Sequence, residues 1–381
     1  MSSWWLAEQT PPLARVRIVS PDVEIVGAGI TGISAALTLA EAGQRVRIHD
    51  ARQVAGGASG RNGGFALRGG AMPYDQAREW LGADNAREYW RLTEEHLDRL
   101  ADLAGDALWR TGSLRIAADD DERDEIRAEY DALCEDGFAA EWRTDVVGGR
   151  FPAAIFHPGD AAIQPARLVR RLAARAAEAG VEIVEHHRVE SLDELEAPRV
   201  LVATDGYPSG LLGELEGQII PTRGQMIATE PIAERLFDMP HYGRHGFDYW
   251  QQLPDGRITT GGFRDFAMDS EFTDSEETTP TIQGALESFV AELVGRPVPV
   301  TQRWAGIFGL VLDFMPVVGR VSGDERLWIA GGYSGHGNVL GFMCGDLVAN
   351  AILETPSDKV SLGVMEAFDP ARLLQLDARD V

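Results

Sequence analysis

The order of apolar and polar residues along the chain predicts alternating strands and helices. An apolar run from Val23 is typical of a buried strand, apolar residues then recur with helical spacing up to Gly43, and residues 45–49 form a second apolar run. Further helices are predicted over residues 72–103, 119–135, 164–180 and 279–293 and from about Asn338, and further strands over 113–118, 199–206 and a hairpin turning at 254–256. These elements predict a mixed α/β chain.

Three glycines follow the first predicted strand in G-x-G-x-x-G spacing, at Gly27, Gly29 and Gly32. The first permits a tight turn, the second lets a pyrophosphate approach the backbone, and the third lets the helix pack close to the strand. Asp50 ends the second strand, where a carboxylate can accept hydrogen bonds from ribose hydroxyls. The unit therefore predicts a dinucleotide site.

Two later segments point to the same site. Residues 55–70 are rich in glycine, and Ser59, Arg61 and Asn62 add hydrogen-bond donors for phosphate or ring oxygens. The apolar run that starts at Arg199 ends in small residues, and ligands of open α/β sheets gather at the carboxyl ends of strands. The dinucleotide-binding part is therefore predicted to resume there after an insertion.

Composition excludes several classes of function. The formal net charge of -25 at pH 7 argues against nucleic acid or an anionic membrane as partner. No stretch approaches the roughly eighteen apolar residues of a membrane span, and no basic residue precedes Arg15, so the sequence predicts a cytoplasmic protein. Cys134 and Cys344 form neither a C-x-x-C pair nor a disulfide framework, and no metal site is predicted.

Taken in order, these pieces resemble the D-amino-acid oxidase-like superfamily of FAD-dependent oxidoreductases, and within it the γ-glutamylputrescine oxidase-like members. The matching segments are VEIVGAGITGISAAL, GGASGRNGGF, TRGQMIATEP, YWQQLPDGRITTGG, WAGIFGLVLDFMPVVGR and GGYSGHGNVLG. The resemblance implies a Rossmann-like FAD-binding domain interleaved with a substrate-binding domain whose sheet is mainly antiparallel. The predicted FAD-binding segments are 1–75, 155–215 and 300–381, and the substrate-binding segments are 76–154 and 216–299.

The same resemblance implies contacts to FAD. Around the ADP half it implies Gly27, Gly29, Gly32, Asp50, Arg52, Ser59 and Val189. At the ribityl and ring end it implies Arg61, Asn62, Gly63 and Gly64, and at the pyrimidine edge Gly337, Asn338 and Val339. The other implied contacts are Ala28, Ile30, Thr31, Ala51, Ala58, Phe65, Thr204, Asp205, Gly206, Gly306, Gly335 and His336. Gly306 stands where some relatives carry a flavin-linking cysteine, so the FAD is predicted to be non-covalent.

Two departures from the family pattern affect the prediction of the substrate and the prediction of O2 as the electron acceptor. Phe308 stands where members that oxidise free α-amino acids usually carry an arginine, and an apolar side chain cannot pair with a carboxylate. Arg223 or Arg264 remains a possible source of a guanidinium. Lys359 is the only lysine, so the lysine that sarcosine-oxidase-type members use near the flavin has no counterpart upstream, and the choice between oxidase and dehydrogenase stays open.

The predicted activity is oxidation of a C–N bond in a primary or secondary amine, either a polyamine derivative or an N-substituted amino acid. Hydride passes to flavin N5, and the imine hydrolyses to an aldehyde or keto acid plus amine. The candidate residues on the substrate side are Tyr249, Trp250, Arg264 and His336. Within the resemblance an oxidase that uses O2 is preferred to a dehydrogenase that uses another electron acceptor, and the oligomeric state is left open.

Three alternatives remain. The chain can be a D-amino-acid or glycine-type oxidase, or a flavin-carrying subunit of a larger dehydrogenase complex with Trp4 and Trp5 as a partner surface. It can also be an NAD-dependent oxidoreductase that uses the same glycine motif. The GASGRNGG and SGHGN segments count against this last alternative.

Overall fold

The structure is a computed structural model, and it describes residues 2–354 and 362–375. Its strands are β1 Val23–Val26, β2 Val46–His49, β3 Phe65–Ala66, β4 Leu108–Trp109, β5 Ser113–Ala117, β6 Glu141–Asp145, β7 Phe151–His157, β8 Ala161–Ile163, β9 Glu182–Val184, β10 Arg199–Val202, β11 Ile220–Thr229, β12 His241–Gly243, β13 Asp248–Gln252, β14 Ile258–Gly262, β15 Val300–Leu310, β16 Val317–Arg320 and β17 Leu327–Gly331. Its helices are α1 Ile30–Glu41, α2 Tyr74–Leu81, α3 Ala83–Ala104, α4 Asp120–Glu135, α5 Val146–Gly149, α6 Pro165–Glu178, α7 Met268–Glu271, α8 Pro280–Val294, α9 Gly337–Ile352 and α10 Leu362–Phe368.

In the described residues, six strands form a sheet in the order β16-β17-β10-β1-β2-β9. All neighbours are parallel except β16 and β17. Every residue of β1 is buried, as expected for a parallel strand with both faces covered. Helices α1 and α9 pack against each other beside this sheet, and the carboxyl ends of β1, β2 and β10 meet at one edge.

A second sheet, also drawn from the described residues, has the strand order β15-β11-β14-β13-β12-β5-β7-β6. Its pairs are antiparallel except β12 with β5. Helix α8 packs on β11 and β14, and its Phe289 contacts Trp250 with ring centroids 5.1 Å apart. A small third sheet joins β3, β8 and β4.

The predicted fold class is confirmed, because a mainly parallel sheet and a mainly antiparallel one are interleaved along the chain. The assignment of segments to domains stays a prediction. Two of its boundaries do not follow the strand pairing. The boundary between residues 154 and 155 divides β7, which pairs with β5 and β6, and β15 was placed in the FAD-binding part but pairs with β11 along its length. The helix predicted over residues 72–103 is two helices, α2 and α3, separated at Gly82, whose φ is +79°.

The N-terminal tryptophans do not form the apolar surface suggested by the sequence. Trp5 is buried in the core and donates a hydrogen bond from its Nε1 to the Asn62 carbonyl oxygen at 2.7 Å. The Arg257 guanidinium covers the ring of the partly buried Trp4, 4.0 Å from its centroid. Lys359, whose position left the choice between oxidase and dehydrogenase open, lies outside the described residues. Among the described helices, none is long and apolar enough to cross a membrane.

Candidate active site

The turn after β1 lies close against the end of β10. Gly27 has φ +113°, and a Cβ on this residue would lie 2.5 Å from the Ala203 carbonyl oxygen. A Cβ on Gly32 would overlap the Gly27 carbonyl oxygen, so the first turn of α1 packs directly on the loop that precedes it. Both close approaches require glycine, and they bring the N-terminus of α1 to the carboxyl edge of the sheet.

Asp50 stands at the end of β2 beside this turn. Its carboxylate accepts hydrogen bonds from the backbone N–H groups of Ala28 and Arg52, each at 2.7 Å. Burial raises the pKa of Asp50, and the two amide hydrogen bonds oppose that rise. Each carboxylate oxygen has a further lone pair, so Asp50 can still accept a hydrogen bond from a hydroxyl group of a ligand in the adjoining cavity.

The first cavity opens at the carboxyl ends of β1, β2 and β10. Predicted site residues that line it are Gly27, Gly29, Ile30, Thr31, Asp50, Ala51, Arg52, Ala58, Ser59, Asn62, Val189, Thr204, Asp205, Gly335, Gly337 and Asn338. The cavity is also lined by His49, His187, Arg188, Tyr207 and Tyr333, which sequence reasoning missed. The glycine motif and the segments that follow β10 and precede α9 therefore meet around one space.

The side chains of Glu24, His49 and His187 form a line of polar contacts at the end of this cavity nearest His49. His49 Nε2 is 3.0 Å from a carboxylate oxygen of Glu24, and His49 Nδ1 is 3.0 Å from Nδ1 of His187. Burial alone would raise the pKa of Glu24, but hydrogen bonds from His49 and from the backbone amides of Ala197 and Glu196 bring it down to about 2. Glu24 is therefore an anion that fixes the orientation of the His49 ring.

The second cavity adjoins the first, and the two have a common wall formed by Ala58, Asn62, Phe308, Gly335 and Asn338. The side-chain amides of Asn62 and Asn338 make two reciprocal hydrogen bonds of 3.1 Å. Asn338 also donates to the Phe65 carbonyl oxygen at 2.7 Å. These bonds fix the N-terminus of α9 against the glycine-rich loop at the point where the cavities meet.

Predicted site residues that line the second cavity are Ala58, Arg61, Asn62, Gly63, Phe65, Tyr249, Arg264, Gly306, Gly335, His336 and Asn338. Tyr242 also lines it and lies directly opposite Tyr249 across β12 and β13. Sequence reasoning missed Tyr242, because its neighbours His241, Gly243 and Arg244 give no strand pattern. The structure thus brings together side chains from β12, β13, the segment after β14 and the loop before α9.

His336 precedes α9 and lines the second cavity. Its Nδ1 atom is buried and has no hydrogen-bond partner among the described residues. Burial lowers the pKa of His336 to about 4, so the imidazole is neutral near pH 7. His336 therefore contributes an uncharged ring to the wall of the second cavity.

The structure does not bring Trp250 to this cavity. Trp250 is buried in the core of the antiparallel sheet, where its ring stacks on His241 at a centroid distance of 5.1 Å. Tyr249 and Trp250 are neighbours on β13, so their side chains point to opposite faces of the sheet. The expectation that both contact the substrate is therefore corrected, and Tyr249 alone faces the cavity.

Arg223 is also absent from the cavity wall. Its guanidinium forms a buried ion pair with Glu271, with an N–O distance of 2.7 Å, and donates further bonds to the Ser270 and Glu277 carbonyl oxygens. Gly224, the next residue on β11, lines the cavity instead. Of the two arginines considered from the sequence, only Arg264 therefore lines this space.

Five residues predicted to bind the cofactor line neither cavity. They are buried behind the walls: Ala28, Gly32, Gly64, Gly206 and Val339. Asp205 lines the first cavity, but its carboxylate accepts the Gly309 and Gly332 amides at 2.9 and 2.8 Å. It therefore joins the end of β15 to the end of β17 beside the common wall.

Comparison with known proteins gives one family. The family model described as DAO, FAD dependent oxidoreductase, matches residues 22–351. The chain is 28% identical to gamma-glutamylputrescine oxidoreductase from Escherichia coli, over 88% of this chain and 84% of that protein. It is 26% identical to the probable oxidoreductase OrdL from Haemophilus influenzae, over 94% of this chain and 88% of that protein.

Among solved structures, glycine oxidase from Geobacillus kaustophilus superposes with a TM-score of 0.71 and 20% sequence identity. The match covers 90% of this chain and 96% of that one, and it shows a common fold. The family match spans both cavities and the elements that build them. The chain therefore belongs to the DAO family of FAD-dependent oxidoreductases.

Proposed function

We propose that this oxidoreductase holds FAD non-covalently in the first cavity and oxidises a C–N bond of an amine or amino acid in the second. The observation that carries the proposal is the common wall of Ala58, Asn62, Phe308, Gly335 and Asn338. A cofactor that extends along the first cavity can reach the second cavity at this wall. Similarity to gamma-glutamylputrescine oxidoreductase supports an amine as the substrate.

The residues of the first cavity fit FAD by the chemistry of their donors and acceptors. The N-terminus of α1 suits the diphosphate, because helix N-termini carry partial positive charge and unpaired N–H groups. Asp50 suits a ribose hydroxyl. At the other end, the N-terminus of α9 with Gly337 and Asn338 suits the pyrimidine edge of the flavin, where reduction places negative charge.

The absence of a cysteine from the described walls of both cavities supports non-covalent binding. Gly306, which lines the second cavity, has no side chain with which to form a bond. Cys344 lies buried in α9, and Cys134 lies in α4.

When bound, FAD would accept the hydride that leaves the carbon attached to the amine nitrogen, and the proton lost from that nitrogen would pass to water. The protein must position the amine, exclude water and favour the uncharged amine, whose lone pair stabilises the developing C=N bond. Phe65, Phe308 and Phe314 give the second cavity apolar walls. His336 adds an uncharged ring to the same wall, so it brings no positive charge towards the amine. The imine product then hydrolyses in water.

An anaerobic titration of the purified protein tests this function. The visible flavin absorbance is followed while putrescine, its γ-glutamyl derivative, sarcosine, and D- and L-amino acids are added in turn. Loss of the absorbance with an amine or amino acid is the expected result, and its recovery with hydrogen peroxide release on admitting air would identify O2 as the acceptor. A protein that neither carries FAD nor binds added FAD would refute the cofactor assignment. A flavoprotein that none of these compounds reduces would refute the reaction.

A further inference from the structure

We propose that Glu276 closes a clasp over the first cavity, and that this clasp must open before FAD can enter or leave. The clasp consists of the side chains of Glu276, Arg52, Arg61 and Tyr207. The inference rests on the proposed function, since FAD is the ligand that the clasp would retain. It is carried by the partners of the Glu276 carboxylate and by the way two of them meet across the parallel sheet.

The carboxylate of Glu276 has three partners, and each of them lines a cavity. Its Oε1 atom accepts hydrogen bonds from Arg52 at 2.5 Å and from the Tyr207 hydroxyl group at 2.7 Å. Its Oε2 atom lies 3.3 Å from the guanidinium of Arg61. Arg52 and Tyr207 line the first cavity, and Arg61 lines the second. One carboxylate therefore connects the walls of both cavities.

Two of these partners meet beyond the end of β1. The sheet order places β1 between β2 and β10. Arg52 follows β2 and Tyr207 follows β10, yet the Arg52 guanidinium lies 4.8 Å from the centroid of the Tyr207 ring. The two segments therefore reach towards each other past the carboxyl end of β1, where the turn at Gly27 leads into α1. The diphosphate of FAD is proposed to lie at this turn, so the contact bridges the space proposed for it.

Glu276 itself belongs to a segment outside both described cavity walls. It lies between α7 and α8, in residues 272–279, which form no helix or strand. The far end of this segment is held on the antiparallel sheet, because Arg223 donates to the Glu277 carbonyl oxygen and Gln225 accepts from the Thr279 N–H group. The clasp is made by side chains, so it can open without loss of strand pairing in either sheet.

The contacts of the clasp are charge-assisted. Burial raises the pKa of Tyr207 above its ordinary value and the Glu276 carboxylate adds to the rise, so the hydroxyl group keeps its proton and donates it. The Glu276 side chain is 20% exposed and that of Arg61 11% exposed, so solvent screens this pair less than a surface pair. Contacts of this strength favour the closed state and still allow occasional opening.

The rates of FAD exchange test the clasp. Release is followed by the rise in flavin fluorescence after dilution of the FAD-loaded protein, and association by the fall in fluorescence when FAD is mixed with FAD-free protein. Glu276→Gln keeps the size of the side chain but removes the charge that holds two guanidinium groups. We expect both rate constants to rise about 10-fold or more, because a barrier common to entry and exit is lowered. The dissociation constant should change less than either rate constant.

Glu277→Gln is the matched control, since it removes the same charge from the next residue, which is exposed. Removal of a negative charge near a diphosphate would by electrostatic repulsion alone slow the release of FAD, whereas opening of the clasp speeds it. Thermal unfolding of the FAD-free proteins checks that the variant and the control are folded.

Tyr207→Phe is a second variant, and it leaves the net charge unchanged. It keeps the ring beside Arg52 and removes the hydroxyl donor to Glu276. Entry and exit of FAD should both become about 3-fold faster or more, because one contact of the clasp is lost.

Two results would overturn the clasp. One is release from folded Glu276→Gln that is no faster than release from Glu277→Gln. The other is faster release with unchanged association, which would show that a direct contact to FAD was lost. The proposed function fails separately. A protein that binds no FAD refutes the cofactor assignment and the clasp with it, whereas FAD that binds and exchanges at the control's rates leaves the assignment in place and refutes the clasp alone.

Discussion

Replacing Gly27 by alanine should damage both the stability and the FAD affinity of the protein. The new Cβ would lie 2.5 Å from the Ala203 carbonyl oxygen, whereas ordinary contact begins at 3.4 Å, so the turn must move by 3.4 − 2.5 = 0.9 Å. Overpacking of this kind costs about 1–3 kcal/mol, and φ of +113° adds about 1–2 kcal/mol for a residue with a side chain. A shift of this size also misplaces the amides proposed to face the diphosphate, which should raise the dissociation constant of FAD about 10- to 100-fold.

Gly43→Ala is the matched control. Gly43 lies just after α1 and has φ +82°, but a Cβ there would meet nothing within 4 Å. It therefore carries the backbone cost of about 1–2 kcal/mol without the clash. Thermal unfolding of the FAD-free proteins and fluorescence titration with FAD measure both quantities. The reasoning is refuted if Gly27→Ala binds FAD as tightly as Gly43→Ala, or unfolds at the same temperature.

Two further substitutions test buried polar contacts. Arg223→Met should destabilise the protein by about 3–5 kcal/mol, because it leaves the Glu271 carboxylate buried without its cation. The double variant with Glu271→Met should recover much of this loss in thermal unfolding, and no recovery would show that the ion pair is not the cause. Asp205→Asn should cost about 1.5–3 kcal/mol, because Gly309 and Gly332 donate to different carboxylate oxygens and one of these becomes an NH2 group that cannot accept. An unchanged unfolding temperature would contradict the bridging role of Asp205.

Much of the fold was predictable because its signals are local. The glycine motif, the strands beside it and the hairpin turning at 254–256 each lie within a short stretch, and each is found where the pattern indicated. The break between α2 and α3 was missed, because apolar residues keep helical spacing across Gly82 while its backbone leaves the helical region. The pairing of β15 with β11 could not be predicted, because it joins residues about eighty positions apart in sequence, which no local pattern encodes.

The site shows the same limit in its side chains. Alternation along β13 places Tyr249 and Trp250 on opposite faces, but which face is the core depends on where α8 packs. Likewise, the sequence offers Arg223 and Arg264 as equivalent cations. Only the tertiary structure shows that Glu271 engages Arg223, whereas Arg264 faces a cavity. Glycines that line the first cavity were easier to predict than side chains that line the second, because glycine spacing restricts the backbone directly.

An experimental structure of the FAD-loaded protein tests the central claim most directly, namely that the cofactor runs along the first cavity and presents its ring at the common wall. The account predicts the diphosphate at the N-terminus of α1 and the flavin ring beside Phe308 and Gly335, with one face open to the cavity that holds Arg264. A flavin ring placed away from this wall, or with both faces covered by protein, would contradict the account. The second cavity could then not be the place of C–N oxidation.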